Sequence, residues 1–275
     1  MISTLRKQLS RMRTELDALR TVTTKNPTLE AIEADPAEIL RAAGMAADPW
    51  QATLLRSVDS RILMLCSRQA GKSQTAAALA LRAALLEAPA LVLLLSPSQR
   101  QSGELFRAKL LPTWRALGSP FRGQAPTQLS LELTNGSRIV SLPGQEETIR
   151  CFSGVRMLVI DEAARVPDDL YRAVRPMLAV SRGRLVCLSS AYAKAGWFYE
   201  TWTGDEAWHR VKITADQCPR ITPEFLAEER QALGARWFNM EYMGEFGELV
   251  DAVFSTGDIE AAMRDDVAPL FGSET

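Results

Sequence analysis

One segment of the sequence combines residue types that bind phosphate. Residues 66–73 read CSRQAGKS, which matches the phosphate-loop pattern except that Cys66 stands where the pattern has its first glycine. Gly71 lets the backbone approach a phosphate closely, Lys72 reaches the outer phosphates, and the hydroxyl of Ser73 can bind Mg²⁺. The segment follows an apolar run and precedes a helical pattern, which favours a nucleotide site over an ordinary basic turn.

Arg68 lies inside this loop and brings a second positive charge close to Lys72. A bound triphosphate would stabilise both cations, so Arg68 is predicted to contact the γ-phosphate from within the same chain. The alternative is that Arg68 pairs with an acidic side chain.

Two adjacent carboxylates, Asp161 and Glu162, end the apolar run that begins at Met157. The carboxyl ends of parallel strands line the ligand crevice of an α/β sheet. On an extended chain the two side chains point to opposite sides. Asp161 is therefore predicted to support Mg²⁺, and Glu162 to orient and deprotonate a water molecule. The alternative is that these acids cap a following helix.

Two further positions are candidates for nucleotide contacts. Ser189 and Ser190 end another apolar run, where hydroxyl groups can sense the γ-phosphate; a solvated strand end is the alternative. Gln51 precedes the first apolar run, and its amide can read an adenine edge because it both donates and accepts hydrogen bonds.

Short apolar runs alternate with helical segments from residue 61 onward. Runs without polar alternation suit strands buried on both faces, and their alternation with helices predicts a parallel sheet. The runs cover residues 61–66, 91–95, 137–142, 157–160 and 184–188, with a helix from 74 to about 86 after the first. The sequence therefore predicts an α/β fold with a mostly parallel central sheet flanked by helices.

An N-terminal helical extension is predicted before this sheet. Apolar residues at heptad spacing predict a helix over residues 1–25, which Asn26 and Pro27 would end. Shorter helices are predicted to start after Asp35 and after Asp48, each followed by proline. The expected division is residues 1–47 for the extension, 48–250 for the nucleotide-binding domain and 251–275 for a tail or linker.

The composition excludes several classes of protein. Of the 275 residues 47% are apolar, which excludes a wholly disordered chain, and the net charge of −1 excludes a histone-like binder of nucleic acids. No apolar stretch approaches the ~20 residues of a membrane span, and the N-terminus lacks an apolar signal core. A cytoplasmic location without membrane contact is expected.

The cysteines and the histidine point to no catalytic or metal chemistry. Cys66, Cys151, Cys187 and Cys218 lack the pair spacing of a zinc site and are predicted to be buried thiols. His209 is the single histidine, lies in an apparent edge strand, and has no neighbours that would complete a catalytic triad.

Together these motifs resemble the ATPase domain of the large terminase subunit, the DNA-packaging motor of tailed bacteriophages. The resemblance runs from about Pro49 to Phe254. It rests on an adenine motif at residues 48–51, the glycine-poor phosphate loop with its arginine at 67–73, residues 149–154 leading into the acidic strand end at 158–164, the coupling motif at 189–191, and the exit segment at 237–246. The fold that it implies is that of a RecA-like P-loop NTPase of the ASCE class.

The resemblance also implies roles for individual residues. The nucleotide would be bound by the adenine motif and the loop, through Gln51, Ser67, Arg68, Gln69, Ala70, Gly71, Lys72, Ser73 and Gln74. Ser73 and Asp161 would hold Mg²⁺, Glu162 would be the catalytic base, and Arg68 would sense or stabilise the γ-phosphate of ATP. Ser189 and Ser190 would couple turnover to movement.

The implied partners are double-stranded DNA, a portal protein and a small terminase subunit, with the subunits forming a homo-oligomeric ring on the procapsid; a monomer in isolation is the alternative. Candidate DNA contacts form two basic groups, whose alternative is solvated helix faces. One group comprises Arg100, Arg107, Lys109, Arg115 and Arg122, and the other Arg172, Arg175, Arg182 and Arg184.

The sequence departs from the family in one respect. Large terminases usually continue into an RNase H-like nuclease domain, whereas here only a short segment with Asp251, Asp258, Glu260, Asp265 and Asp266 follows Phe254. No nuclease activity is expected in this chain. The alternatives are a superfamily 2 helicase-like DNA-dependent ATPase, which would need a second RecA-like domain, and a nucleotide-binding remnant without turnover.

Overall fold

The computed structural model describes residues 26–143 and 152–248, together with residue 262. Its strands are β1 Arg61–Cys66, β2 Leu91–Ser96, β3 Ser130–Glu132, β4 Arg138–Pro143, β5 Val155–Asp161, β6 Arg184–Ser189 and β7 His209–Ile213. Its α-helices are α1 Pro27–Ala34, α2 Glu38–Ala42, α3 Pro49–Arg56, α4 Lys72–Leu86, α5 Gln99–Glu104, α6 Leu111–Ala116, α7 Asp168–Val174, α8 Gly196–Thr203 and α9 Pro223–Tyr242. A π-helical segment, Leu105–Leu110, joins α5 to α6. The helix predicted over residues 1–25, Cys151 and the acidic residues of the tail lie outside the described residues.

The strands form a sheet in the order β3-β4-β2-β5-β6-β1-β7. Every neighbouring pair is parallel except β3 with β4, so the predicted mostly parallel sheet is confirmed. The five predicted apolar runs correspond to β1, β2, β4, β5 and β6. His209 begins the edge strand β7, as its pattern indicated, and its ring bonds to the Asp59 carboxylate.

The central strands are buried on both faces of the sheet, which explains their uniformly apolar sequences. In β1, Ile62 and Met64 pack on the side of α4, whereas Leu63 and Leu65 pack on the side of α7 and α8. Helix α4 is rich in fully buried alanines, and these small side chains let it lie close against the sheet.

Two helices before the sheet begin at or close to a proline. Asn26 and Pro27 were expected to end the helix over residues 1–25, which lies outside the described residues. They also begin α1, a helix that was not predicted: the Asn26 side chain accepts a hydrogen bond from the Thr28 N–H (2.9 Å), and proline occupies the first turn. The next helix begins at Glu38 instead of directly after Asp35, because Asp35 ends α1 first.

The described part of the extension packs against the sheet domain. Ile32 of α1 and Ile39 and Leu40 of α2 are at most 1% exposed and belong to the same apolar cluster as α4. Residues 27–42 therefore share a hydrophobic core with the sheet. Among the described helices, none has the length and apolar character that a membrane crossing requires.

Candidate nucleotide site

The phosphate loop connects the end of β1 to the start of α4. Gln69 (φ 60°) and Gly71 (φ 93°) both adopt left-handed conformations, which turn the chain so that α4 begins at Lys72 instead of the predicted Gln74. A Cβ atom on Gly71 would lie 2.9 Å from Nε2 of Gln51. Glycine is thus required here both for its backbone conformation and for the close approach of a neighbouring side chain.

Backbone hydrogen bonds hold the first half of the loop from behind. The Ser67 N–H donates to the carbonyl of Ile213 (2.8 Å), at the end of β7. The Arg68 N–H donates to the carbonyl of Glu241 (3.0 Å), near the end of α9. Ser67 and Ala70 are fully buried, so their side chains pack inside the protein.

Lys72 and Glu162 face each other across the site. The distance from Lys72 Nζ to Glu162 Oε1 is 3.6 Å, and the two side chains are 12% and 23% exposed. The strands that precede these residues in the chain, β1 and β5, are separated by β6. The carboxyl ends of all three strands meet at one edge of the sheet, which brings residues far apart in sequence into one crevice.

Glu162 is not part of the strand. Its backbone is left-handed (φ 51°, ψ 42°), directly after β5 ends at Asp161. The expectation that the two acids diverge along an extended chain was therefore wrong. The turn at Glu162 separates the carboxylates, and non-glycine residues adopt such a conformation mainly where the surrounding structure enforces it.

Asp161 is a buried acid with an abnormal titration. It is 7% exposed, and burial, followed by the charge of Glu162, raises the pKa of its carboxyl to about 6, against the lowering effect of Lys72. Its Oδ1 accepts a hydrogen bond from the Glu162 N–H (3.0 Å). Within residues 26–143 and 152–248 it makes no ion pair.

This arrangement suits a divalent cation held partly by phosphate. The described residues contain no cluster of three or more His, Cys, Asp or Glu side chains that could hold a metal by themselves. Mg²⁺ typically takes one or two carboxylates, a hydroxyl and the phosphate oxygens of its nucleotide. Asp161 and Ser73 are ligands of these types.

Arg68 is paired with an acid in this structure. Its Nε donates to Oε2 of Glu241 (2.7 Å), and its side chain is 60% exposed. It nevertheless lines the same cavity as Lys72 and Glu162, a space of about 700 Å³. Contact with the γ-phosphate therefore stays a prediction, and it requires the pair with Glu241 to open.

The predicted coupling residues contact the turn that carries Glu162. Ser189 is 1% exposed, and its Oγ accepts a hydrogen bond from the Ala164 N–H (3.2 Å). In the sheet Ser189 pairs with Leu65 of β1, one residue before the phosphate loop. Ser190 is also buried. Ser189 thus lies between the two elements that position Lys72 and Glu162.

The amide of Gln51 is already engaged within the protein. Its Oε1 accepts from the Asp48 N–H (2.9 Å), and its Nε2 donates to Oγ1 of Thr75 (2.9 Å). Gln51 therefore ties the start of α3 to α4 and the phosphate loop. Its predicted contact with an adenine edge stays a prediction, and the structure gives both ends of the amide another partner.

Three basic residues of the site have no counterpart in the motifs identified from the sequence. Lys109, on the π-helical segment, and Arg165, in the turn after Glu162, line the cavity with Lys72. Arg165 lies over the Tyr192 ring, 4.3 Å from its centroid. Arg220 lines an adjoining cavity. The sequence contains one signal of the irregular helix that carries Lys109. Pro112 follows it, and a proline inside a helical pattern disturbs the regular hydrogen bonds before it.

The structure divides the basic residues considered for DNA contact. Lys109 belongs to the nucleotide cavity. Arg184 is 7% exposed and donates to the carbonyls of Ser57 (3.2 Å) and Asp59 (3.0 Å), so the expectation that it lies on a surface is wrong. Arg184 instead joins the amino ends of strands, opposite the phosphate loop.

The cysteines confirm their predicted state where they are described. Cys66, Cys187 and Cys218 are buried free thiols, and burial raises the pKa of Cys66 to about 12 although the Lys72 charge lowers it. Cys66, at the position of the first loop glycine, is therefore an apolar wall of the loop.

This parallel sheet, with a phosphate loop after β1, an acidic pair after β5 and a strand between them, defines a RecA-like P-loop NTPase of the ASCE class. The family model described as "Terminase large subunit, T4likevirus-type, N-terminal" matches residues 63–261. The chain belongs to this family of terminase large subunits. The prediction that it is the ATPase domain of such a subunit is confirmed.

Solved structures show the same fold. The ATPase domain of the Thermus phage P74-26 large terminase is 20% identical, with a TM-score of 0.65 over 76% of this chain and 97% of that one. The large terminase of a thermophilic bacteriophage, in complex with ATP-gamma-S, is 14% identical, with a TM-score of 0.56 over 76% of this chain and 52% of that one. The same thermophilic phage protein with ADP gives a TM-score of 0.53 at 14% identity, over 76% of this chain and 52% of that one. None of the curated proteins matches this chain.

Proposed function

We propose that this chain binds ATP with Mg²⁺, hydrolyses it, and couples the hydrolysis to movement of double-stranded DNA into a procapsid. The observation that carries the proposal is the meeting of Lys72 and Glu162, 3.6 Å apart, beside the buried Asp161. The family membership of the chain and the ATP-gamma-S and ADP complexes of the thermophilic phage terminase support the choice of nucleotide.

The backbone and side chains of the loop supply the phosphate site. Backbone N–H groups at the start of α4 and the Lys72 ammonium group bind the β- and γ-phosphates. Ser73 and Asp161 hold Mg²⁺, which neutralises the phosphate charge when it is bound. A cation next to Asp161 would also favour the ionised form of this carboxyl and so would offset the effect of burial on its pKa.

Glu162 acts as the base in hydrolysis. A γ-phosphate draws Lys72 away from Glu162, which frees the carboxylate to accept a proton from water. The water oxygen forms a bond to the γ-phosphorus, the bond from phosphorus to the β-phosphate oxygen breaks, and ADP and phosphate leave. Once its ion pair with Glu241 opens, Arg68 stabilises the γ-phosphate.

Ser189 transmits the state of the γ-phosphate. Its hydrogen bond to Ala164 holds the turn that contains Glu162, and its strand pairs with β1. When phosphate leaves, a displacement of Glu162 would therefore shift the end of β6 and the residues after it, including Ser190. The coupling of this displacement to DNA is part of the proposal.

We propose that the domain acts as part of an assembly in the host cytoplasm. We infer a homo-oligomeric ring on a portal protein, supplied with DNA by a small terminase subunit. The exposed basic residues of the first group, Arg100, Arg107, Arg115 and Arg122, are the candidate DNA contacts, because Lys109 serves the nucleotide cavity.

The test is steady-state hydrolysis of Mg²⁺-ATP with and without double-stranded DNA, comparing wild type with Glu162→Gln. Turnover should fall at least a hundredfold, on the order of the lower limit for losing a general base, while ATP binding persists. Glu228→Gln, on an exposed part of α9, is the matched control and should retain wild-type turnover. Equal turnover in Glu162→Gln and wild type would refute the role of Glu162.

DNA dependence separates the motor from a simple ATPase. Double-stranded DNA should stimulate turnover, and the stimulation should weaken steeply with salt if the basic group contacts phosphates. Substitution of Arg107 and Arg115 by alanine should reduce the salt slope and leave basal turnover unchanged. An effect of DNA that ignores both salt and these substitutions would exclude this surface.

A further inference from the structure

Arg220, which lies between β7 and α9, is held against the phosphate loop by an ion pair. Its Nη1 and Nη2 donate to Oδ1 (2.9 Å) and Oδ2 (2.7 Å) of Asp48, whose carboxylate is only 9% exposed. Nη2 also donates to the carbonyl of Ala70 (3.3 Å). The two-pronged geometry fixes the plane of the guanidinium group as well as its position.

A cavity of about 460 Å³ lies beside this guanidinium group. It adjoins the phosphate cavity, with which it shares Gly71, Gln74 and Lys109. Leu40, Met45 and Ala46 form its apolar wall, and Gln51 and Arg220 complete the lining. A nucleotide with its phosphates in the loop has this apolar space next to it for the rest of the molecule.

Gln51 and Arg220, two of the polar residues that line this cavity, are hydrogen-bonded to other parts of the protein. The amide oxygen of Gln51 accepts a hydrogen bond from the Asp48 N–H, and its amide nitrogen donates one to Thr75. The hydrogen bonds of Arg220 use the edge of its guanidinium plane, the side chain is 51% exposed, and no aromatic ring of the described residues stacks on it. A guanidinium face stacks on aromatic rings, with an attraction that a point charge such as ammonium reproduces less well.

We propose that Arg220 is the residue that stacks on the nucleobase, and that Asp48 is the positioning residue that fixes its plane. This inference rests on the proposed ATP site. It assigns the affinity for the base to stacking between Arg220 and the apolar wall, and it gives the motif at residues 48–51 a structural role: Asp48 orients Arg220, and Gln51 supports the loop.

The test compares two ligands that share a triphosphate and differ in the base. Binding of ATPγS and of inorganic tripolyphosphate, both with Mg²⁺, is measured by calorimetry for wild type, Arg220→Ala, Arg220→Lys and Asp48→Asn. Arg220→Ala should weaken ATPγS about 3- to 30-fold, the range expected for one cation–π contact, and should leave tripolyphosphate within about twofold of wild type. Arg220→Lys and Asp48→Asn should weaken ATPγS in the same selective way. Arg172→Ala, on the exposed side of α7, is the control and should change neither ligand.

Several results would overturn the assignment. Wild-type affinity for ATPγS in Arg220→Ala would remove Arg220 from the base site. An equal loss of both ligands would show that Arg220 acts on the loop or the phosphates instead. If Arg220→Ala fails to fold, the same two criteria apply to Arg220→Lys. A preference of about a hundredfold or more for ATPγS over GTPγS would show edge reading in place of stacking. Wild-type protein that binds tripolyphosphate but not ATPγS refutes this inference alone, whereas binding of neither ligand refutes the proposed function as well.

Discussion

Replacing Asp161 with asparagine should stabilise the ligand-free protein at neutral pH. Asp161 is 7% exposed, and burial together with the Glu162 charge raises its pKa from 3.8 to about 6. Above pH 6 the folded protein therefore holds an ionised carboxylate in a place that disfavours charge. Asparagine has the same shape, keeps an acceptor for the Glu162 N–H, and carries no charge.

The size of the effect follows from the pKa. A rise in pKa of about two units corresponds to a loss of about 3 kcal/mol in the free energy of unfolding, at 1.36 kcal/mol for each unit. Because the folded protein binds the proton more tightly than the unfolded chain, stability falls as pH rises from about 4 to 6 and stays low above that range. Asp161→Asn lacks this loss, so it should exceed wild type by about 1–3 kcal/mol at pH 8 and by roughly half as much at pH 5.

Urea unfolding at pH 5 and pH 8 measures this difference. Asp169→Asn, whose wild-type side chain is 89% exposed, serves as the control and should shift the midpoint little at either pH. A midpoint difference between Asp161→Asn and wild type that is equal at the two pH values would show that burial of the charge costs nothing. The same substitution should weaken Mg²⁺-dependent ATP binding, since an amide is a poorer magnesium ligand than a carboxylate.

Three other substitutions test the rest of the site. Gly71→Ala should lose at least about 1 kcal/mol of stability in thermal unfolding and most of its ATP affinity, because its left-handed backbone (φ 93°) disfavours any Cβ atom; normal ATP binding would contradict the loop geometry. Ser189→Ala removes the acceptor for the Ala164 N–H and should lower kcat several-fold with little change in KM, at a stability cost of about 1–2 kcal/mol; a change confined to KM would exclude the coupling role. Glu241→Gln should change stability by less than about 1 kcal/mol, because Arg68 is largely exposed and glutamine keeps an acceptor for it, and should tighten ATP binding only while Arg68 is present; the same tightening in Arg68→Ala would show that Arg68 is not involved.

The sequence predicted the sheet well because the central strands are buried on both faces. A strand with apolar residues on both sides gives a continuous apolar run, as from Leu91 to Leu95, which is visible without knowledge of its neighbours. The three-residue strand β3 has one exposed face and pairs only with β4, so its sequence carries no comparable signal. Pro27 was interpreted only as the end of the preceding helix, so the start of α1 at the same residue was not predicted.

The site was predictable only where its chemistry is local in sequence. The loop that ends in Lys72 and the strand that ends in Asp161 each form a continuous motif. The pair of Asp48 and Arg220 joins positions 172 residues apart, and neither residue type is unusual in its own segment. Lys109 was considered for DNA contact because its charge could be read from the sequence, whereas Pro112, the one local signal of an irregular helix, does not show which cavity Lys109 lines.

The two hydrogen bonds that hold the phosphate loop from behind have a consequence for how this domain can vary. Both run from N–H groups of the loop, at Ser67 and Arg68, to carbonyl oxygens at Ile213 and Glu241. Every amino acid supplies the carbonyl and every one except proline supplies the N–H, so most side-chain substitutions leave this attachment intact. Scanning by alanine would overlook it, and random drift could replace all four side chains without loosening it. Related proteins with the same backbone can therefore keep this attachment even when the amino acids at all four positions differ.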